Sequence, residues 1–119
     1  MKIKISILFA FVFLLAISCT HESQTLSDLP EVSFTNDVLP VFQTGCAISG
    51  CHDQSSAKEG EVYTNYENIL SSIEPGHPEN SKAYKSMTNY FQIMPPKTPL
   101  SVEDRTKIRV WILQGAKNN

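Results

Sequence analysis

The 119-residue sequence has no surplus of basic residues and no hydrophobic run long enough to span a membrane. Lys and Arg total 10 against 12 Asp and Glu, which gives a formal net charge of −2. Nucleic-acid-binding surfaces carry clustered positive charge, so nucleic acid is not an expected partner. The apolar run from Ile5 to Ile17 is shorter than the roughly 20 residues that a transmembrane helix needs. Strand-type alternation and internal repeats are also absent, which argues against a β-rich or repeat fold.

The N-terminus has the features of an export signal. Lys2 and Lys4 precede the short apolar run, as in secretory signal peptides. The run ends in small residues before Cys19, which resembles a bacterial lipoprotein signal, where cleavage precedes a cysteine that then receives lipid. We therefore expect residues 1–18 to be a signal peptide and Cys19 to be the lipidation site. The protein would then be exported and lipid-anchored to the cell envelope, at the periplasmic face or the outer membrane. An ordinary signal peptide with an incidental cysteine is the alternative.

The rest of the chain divides into a tether and one domain. Without Lys2 and Lys4 the formal charge falls from −2 to −4. Residues 19–32 are polar and lack periodicity, so we predict a flexible tether there. Residues 33–117 have the length of a single small domain with a modest core.

Four segments of this domain carry apolar residues at helical spacing, so the predicted fold class is all-α with about four short helices. Thr35 or Asn36 is the predicted cap of the first helix, which Gly45 ends. The second runs from about Asn65 to Ser72. Ser81 is the predicted cap of the third, whose apolar face includes Ala83, Tyr84, Met87 and Tyr90 or Phe91. The last begins at Ser101 and ends at Gly115.

A motif of candidate cofactor-binding residues follows the first predicted helix: Cys46-Ala47-Ile48-Ser49-Gly50-Cys51-His52. Two thiols followed at once by an imidazole is the order that holds a c-type haem, with each cysteine bound to a vinyl group and the histidine bound to iron. The usual spacer between the cysteines is two residues, and here it is four. A small loop must therefore project between them, and Gly50 suits its bend because glycine adopts positive φ without strain.

Two other interpretations of the motif stay open at this point. Cys46 and Cys51 could form a disulfide in an exported protein. They could also be half of a zinc site, although a structural zinc ion needs about four protein ligands. With Cys19 assigned to lipid, only His21 and His77 remain to complete one.

A haem iron held by His52 needs a second axial ligand for electron transfer. Met94 is the leading candidate, because Met94-Pro95-Pro96 is a proline-stiffened loop and methionine opposite histidine favours electron transfer. His77, in a Pro-Gly-His-Pro turn, is the rival ligand. Met87 is expected in the core.

The chain from Phe34 to Ala116 resembles the planctomycete-type cytochrome c domain, a bacterial family also found in Bacteroidetes lipoproteins. The resemblance implies one covalent haem c per chain, with His52 and Met94 as the axial pair and a role in periplasmic or surface electron transfer. The four-residue spacer departs from the common two, and His77 stands where the family more often has aspartate or asparagine. The matching segments are 36–42 with 46–52, 75–81 with Tyr84, 94–96 with 100–101, and 111–116.

These observations predict a membrane-anchored monohaem cytochrome that cycles between ferrous and ferric iron. A six-coordinate iron leaves no position for a substrate, so we expect no enzyme activity, no small-molecule substrate and a redox protein as partner. If Met94 does not bind iron, the alternative is a five-coordinate haem sensor or a peroxidase-like protein. A haem-free lipoprotein with a Cys46–Cys51 disulfide is the other alternative.

Overall fold

The computed structural model describes residues 25–119, and they form an all-α fold. The four α-helices are α1 (Leu39–Gly45), α2 (Tyr66–Leu70), α3 (Lys82–Thr88) and α4 (Val102–Leu113). A π-helical turn, Phe34–Val38, leads directly into α1, and 3₁₀ turns occupy Leu26–Asp28, Lys58–Gly60 and Pro78–Asn80. No strand occurs in this part of the chain, so the predicted helical class and helix number are confirmed.

The N-terminal predictions fall mostly outside the described residues. The signal peptide, Cys19 and His21 all precede residue 25. Between residues 25 and 119, no helix combines the length and the apolar character that crossing a membrane requires. Residues 30–32, which precede the predicted domain, are hydrogen-bonded to it. Val32 N–H donates to Gln114 Oε1 and Gln114 Nε2 donates to Pro30 O, each at 2.9 Å.

Side-chain caps define where the helices start. Ser101 Oγ accepts from Asp104 N–H at 3.0 Å, which confirms the predicted start of the last helix. Asn65 Oδ1 accepts from Asn68 N–H at 2.9 Å, so Asn65, the predicted first residue of the second helix, is its cap. The predicted cap at Thr35 or Asn36 is wrong, because Ser33 Oγ accepts from the backbone N–H of Asn36 over 3.2 Å. The sequence offered several adjacent polar residues there, and the helical turn simply begins earlier.

Two predictions about α3 are also wrong. Ser81 precedes the helix without capping it, because its hydroxyl donates to His77 O and accepts from Glu74 N–H instead. Tyr90 and Phe91 do not complete the apolar face, since α3 ends at Thr88. Both side chains project into solvent, with exposed fractions of 91% and 90%.

The core is formed mainly between the first helical segment and α4. Ile108, Trp111 and Ile112 on α4 are fully buried, as are Val38 and Phe42 from the first helical segment. Phe34 packs against both α2 and α4, because its ring centroid lies 5.0 Å from that of Tyr66 and 5.5 Å from that of Trp111. Burying these large side chains supplies most of the stabilisation available to so small a domain. The core thereby fixes α1, whose C-terminal end carries the motif.

Candidate functional site

The motif residues and Met94 line one cavity, although Met94 is far from them in the sequence. Cys46, Cys51, His52 and Met94 all line a cavity of about 160 Å³. Tyr63, Ala83 and Met87 belong to its apolar lining. The cavity adjoins an outer groove of about 670 Å³, since His52 and Met94 line both. The arrangement therefore brings two thiols, an imidazole and a thioether to one space that opens at the surface.

The four-residue spacer forms a compact loop. Gly50 has a φ of +84°, the left-handed conformation expected for the bend. Cys51 N–H donates to Ile48 O at 3.0 Å, and His52 N–H donates to Cys46 O at 3.1 Å. Gly50 N–H donates to Ser56 Oγ at 2.9 Å, a contact that was not predicted. These bonds close the extra residues into a turn, so both cysteines reach the same cavity.

The His52 ring is held by two neighbours. Its Nδ1 bonds to the backbone carbonyl oxygen of Glu61 at 3.1 Å, and its ring centroid lies 4.8 Å from that of Tyr63. A carbonyl oxygen only accepts, so Nδ1 carries a proton, and in the neutral imidazole the lone pair is then on Nε2. A histidine that donates through one nitrogen to a backbone carbonyl is the usual preparation for binding a metal through the other.

The two cysteines lie in different environments. Both are free thiols, and Cys46 is buried with 7% of its surface exposed, whereas Cys51 is half-buried. Burial, and then the nearby Cys51 thiol, raise the pKa of Cys46 to about 11. Cys46 is therefore a neutral thiol across the physiological pH range.

Met94 and His77 are placed at different cavities. The backbone N–H of Met94 donates to Ser86 O on α3 at 2.9 Å, and 37% of the residue is exposed. His77 is exposed and lines a separate cavity with Arg109 and Leu113. Met87, expected in the core, is buried at 2% exposure and also lines the motif cavity.

The donor set fits a haem better than a bare metal ion. In residues 25–119 no three His, Cys, Asp or Glu side chains are grouped so that they could hold a metal ion, so this region offers no zinc site. A c-type haem brings four nitrogen ligands of its own and needs only axial donors and thiols from the protein. Thiols at Cys46 and Cys51, an available Nε2 at His52 and the soft Met94 sulfur are that set.

No family model, curated protein or solved structure matches this chain. The motif, the cavity and the chemistry of the side chains that line it are therefore the features that bear on its function. Two contacts that bear on this chemistry, the Glu61 carbonyl and the Tyr63 ring, were not among the candidates from the sequence. A backbone carbonyl leaves no signature in residue type, and a single tyrosine is ordinarily a core residue.

Proposed function

We propose that this protein is a monohaem c-type cytochrome that carries single electrons and catalyses no reaction of its own. One observation carries the proposal: Cys46, Cys51, His52 and Met94, the residues that the sequence motif and its resemblance single out, line a single cavity. The cavity has an apolar lining of the kind that contacts a macrocycle, and because its volume is only about 160 Å³, a haem would occupy the adjoining groove of about 670 Å³ as well.

In this proposal Cys46 and Cys51 hold the haem covalently. Each thiol S–H would add across one vinyl group of the haem, with the sulfur bound to one carbon and the hydrogen to its neighbour, so attachment would consume no oxidant. The low ionisation of Cys46 keeps its thiol from oxidation before attachment, since the thiolate is the reactive form. The haem supplies an iron that alternates between the ferrous and ferric states.

His52 and Met94 are the proposed axial ligands. The Glu61 carbonyl holds the proton on Nδ1 of His52, which directs Nε2 to the metal. Met94 is favoured over His77 because it shares the cavity with His52, whereas His77 lines another. A histidine and methionine pair raises the reduction potential and leaves no open position for oxygen or a substrate.

The cellular setting belongs to the same proposal. Lipid on Cys19 would keep the exported domain at the cell envelope, where it would exchange electrons with a redox partner protein. The residues between Cys19 and Pro30 would separate the domain from the membrane surface.

Haem attachment is tested by intact mass and a pyridine haemochrome spectrum of protein co-expressed with a cytochrome c maturation system. The expected result is one haem that survives denaturation, with the spectrum of two saturated vinyl groups. Cys46→Ala and Cys51→Ala variants should each shift that spectrum to one unsaturated vinyl group. A colourless protein two hydrogens lighter than the reduced chain would overturn the proposal and assign a Cys46–Cys51 disulfide.

A five-coordinate haem is the second candidate, and the exposure of Met94 favours it. At 37% exposed, Met94 is far more accessible to water than Cys46, at 7%. Ligation by methionine gives ferric haem a weak long-wavelength absorption band. The band should be present in the wild type and absent in Met94→Ala, with Met87→Leu as the matched control. A wild type without the band that binds carbon monoxide or peroxide would favour the sensor or peroxidase-like function.

A further inference from the structure

We propose that the groove entrance is a docking surface for a redox protein with an acidic surface. The mouth surface, as we call it, consists of the residues Lys58, Lys85, Tyr90, Phe91 and Lys97. This inference rests on the proposed function for what the partner does, but the surface itself is argued from exposed aromatic rings and from charge.

The aromatic part of the mouth surface is Tyr90 and Phe91. Their exposed fractions are 91% and 90%, and the two rings pack edge to face on each other with centroids 5.5 Å apart. Hydrogen bonds hold the turn that carries them. Asn89 Oδ1 accepts from Phe91 N–H at 2.9 Å, and Met94 N–H donates to a backbone carbonyl of α3. Exposed single aromatic residues are common, but an adjacent pair held out by a bonded turn is typical of an interaction site.

These rings belong to the segment that lines the groove, although they do not line it themselves. Asn89 before the pair and Gln92 and Ile93 after it all line the groove, together with His52 and Met94. A protein that contacts Tyr90 and Phe91 would thus lie against the segment that borders the two proposed iron ligands. Aromatic side chains are enriched at the centres of protein interfaces, because they bury much area with little loss of conformational entropy.

The charged part of the mouth surface contrasts with the rest of the domain. The formal charge of the whole chain is −2, yet Lys58 and Lys85 line the groove and Lys97 directly follows Pro96, which lines it. None of these three lysines has an ion-pair partner among residues 25–119. Among the other cations of residues 25–119, Lys82, Lys107, Arg109 and Lys117 are paired with carboxylates, and Arg105, which does not line the groove, is not. Unpaired positive charge on an acidic protein attracts and orients an acidic partner.

The shape and charge of the groove favour a protein over an anionic membrane. A flat lipid surface cannot enter a concave groove to approach His52, whereas a protruding side chain of a protein can. Glu59 also lines the groove. Its carboxylate would repel a continuous anionic membrane surface, whereas a protein can place its acidic groups away from Glu59. We therefore commit to a protein partner, and membrane binding becomes an outcome of the test.

The first experiment measures docking without requiring haem. The ¹⁵N-labelled protein is titrated with a small acidic blue-copper protein in its reduced form, at low and at moderate salt. Amide shifts should concentrate at residues 58, 85, 89–93 and 97, and binding should weaken at least about tenfold as salt rises. Shifts that map elsewhere, or binding that strengthens with salt as expected for two acidic proteins, would overturn the proposal.

Two matched triple variants separate local from net charge. K58Q/K85Q/K97Q changes the mouth surface, and K107Q/R109Q/K117Q removes the same charge from cations that are paired elsewhere. The first should weaken binding about tenfold, and the second should stay within about twofold of the wild type. Equal losses in both would mean that only net charge matters, which contradicts a defined surface.

The aromatic pair has its own readout. Tyr90→Ser and Phe91→Ser should each weaken docking about tenfold while leaving its salt dependence unchanged, because they remove apolar contact and no charge. Exposed side chains of this kind contribute little to folding, so the variants should melt like the wild type. Wild-type affinity in both variants would remove the aromatic pair from the interface.

The second experiment reports electron transfer and separates this inference from the proposed function. With haem present, one electron passes from ferrous iron to oxidised copper, and the rate constant should follow the same order of variants as docking. A protein without haem would still report docking in the titration, so only the proposed function would fail. Binding to anionic phospholipid vesicles through the mouth surface, without binding to the acidic protein, would assign the surface to a membrane instead.

Discussion

At the scale of single residues, two cysteines of one motif differ in their access to water. Cys46 lies at the end of α1 against the core, where Phe42 and Tyr63 pack with rings 5.4 Å apart. Cys51 lies on the far side of the loop and is half-buried. In the absence of haem we therefore expect an alkylating reagent at mildly alkaline pH to modify Cys51 much faster than Cys46, which peptide mass spectrometry would measure.

The buried Cys46 thiol should also make the stability of the haem-free, reduced protein depend on alkaline pH. Its pKa is raised from 9.0 to about 11, so between these values the unfolded chain loses the proton while the folded chain keeps it. The unfolded state then binds fewer protons, and stability falls as pH rises, by about 2 kcal/mol between pH 8 and pH 11. Urea unfolding at pH 8 and 11 measures this loss. A Cys46→Ala variant with the same loss would contradict the assignment.

The sequence indicated the candidate donors but not what orients them. Cys46, Cys51, His52 and Met94 stood out because thiols, imidazole and thioether carry recognisable chemistry in ordered motifs. The Glu61 carbonyl that bonds to Nδ1 belongs to the backbone, and any residue at that position could supply it. Its placement depends on the turn at Lys58–Gly60, where Glu59 takes a positive φ of 56° that its side chain does not predict.

At the scale of elements, local polar side chains decide where helices begin and end. Ser101 and Asp104 at the start of α4 were readable because their spacing is that of a capping box. The end of α3 was not readable. Asn89 leaves the helical region with a ψ of 115° and its side chain accepts from the next turn, so the apolar residues after it leave the helix. Helical spacing alone cannot detect this stop.

The cap of α4 gives a stability prediction. Ser101→Ala leaves the Asp104 backbone N–H without its acceptor at the start of the longest described helix, so the free energy of unfolding should fall by about 1 kcal/mol. Thr106→Ala, at an exposed position of the same helix, is the control and should be neutral or slightly stabilising because alanine favours helix. Chemical denaturation compares the two. A Ser101→Ala protein as stable as the control would mean that water replaces the cap.

At the scale of the whole molecule, the segment before the first helical turn is fastened to the end of α4. Gln114 accepts from Val32 N–H and donates to Pro30 O, and Lys117 pairs with Glu31 over 2.8 Å. This contact could not be predicted from the sequence, because a polar segment without periodicity is equally typical of a tether. Long-range pairing of polar side chains with backbone depends on the fold and not on local pattern.

Removal of this fastening should loosen one end of the domain without unfolding it. Gln114→Ala loses both bonds, so stability should fall by about 1 kcal/mol and amide exchange at Glu31 and Val32 should speed up. Gln92→Ala, on the exposed loop after α3, is the matched control. Unchanged exchange at Val32 in the Gln114 variant would show that other contacts hold the segment.

The partial exposure of Met94 makes the haem-free protein sensitive to oxidation. Before haem occupies the cavity, a thioether that is 37% exposed is open to peroxide, whereas Met87 at 2% is shielded. Oxidation to the sulfoxide would replace a soft, apolar donor with a polar group. Peroxide treatment should therefore oxidise Met94 before Met87, as peptide mass spectrometry would show. A domain that carries the Met94 sulfoxide would keep its fold, yet would have lost the thioether that lines its cavity.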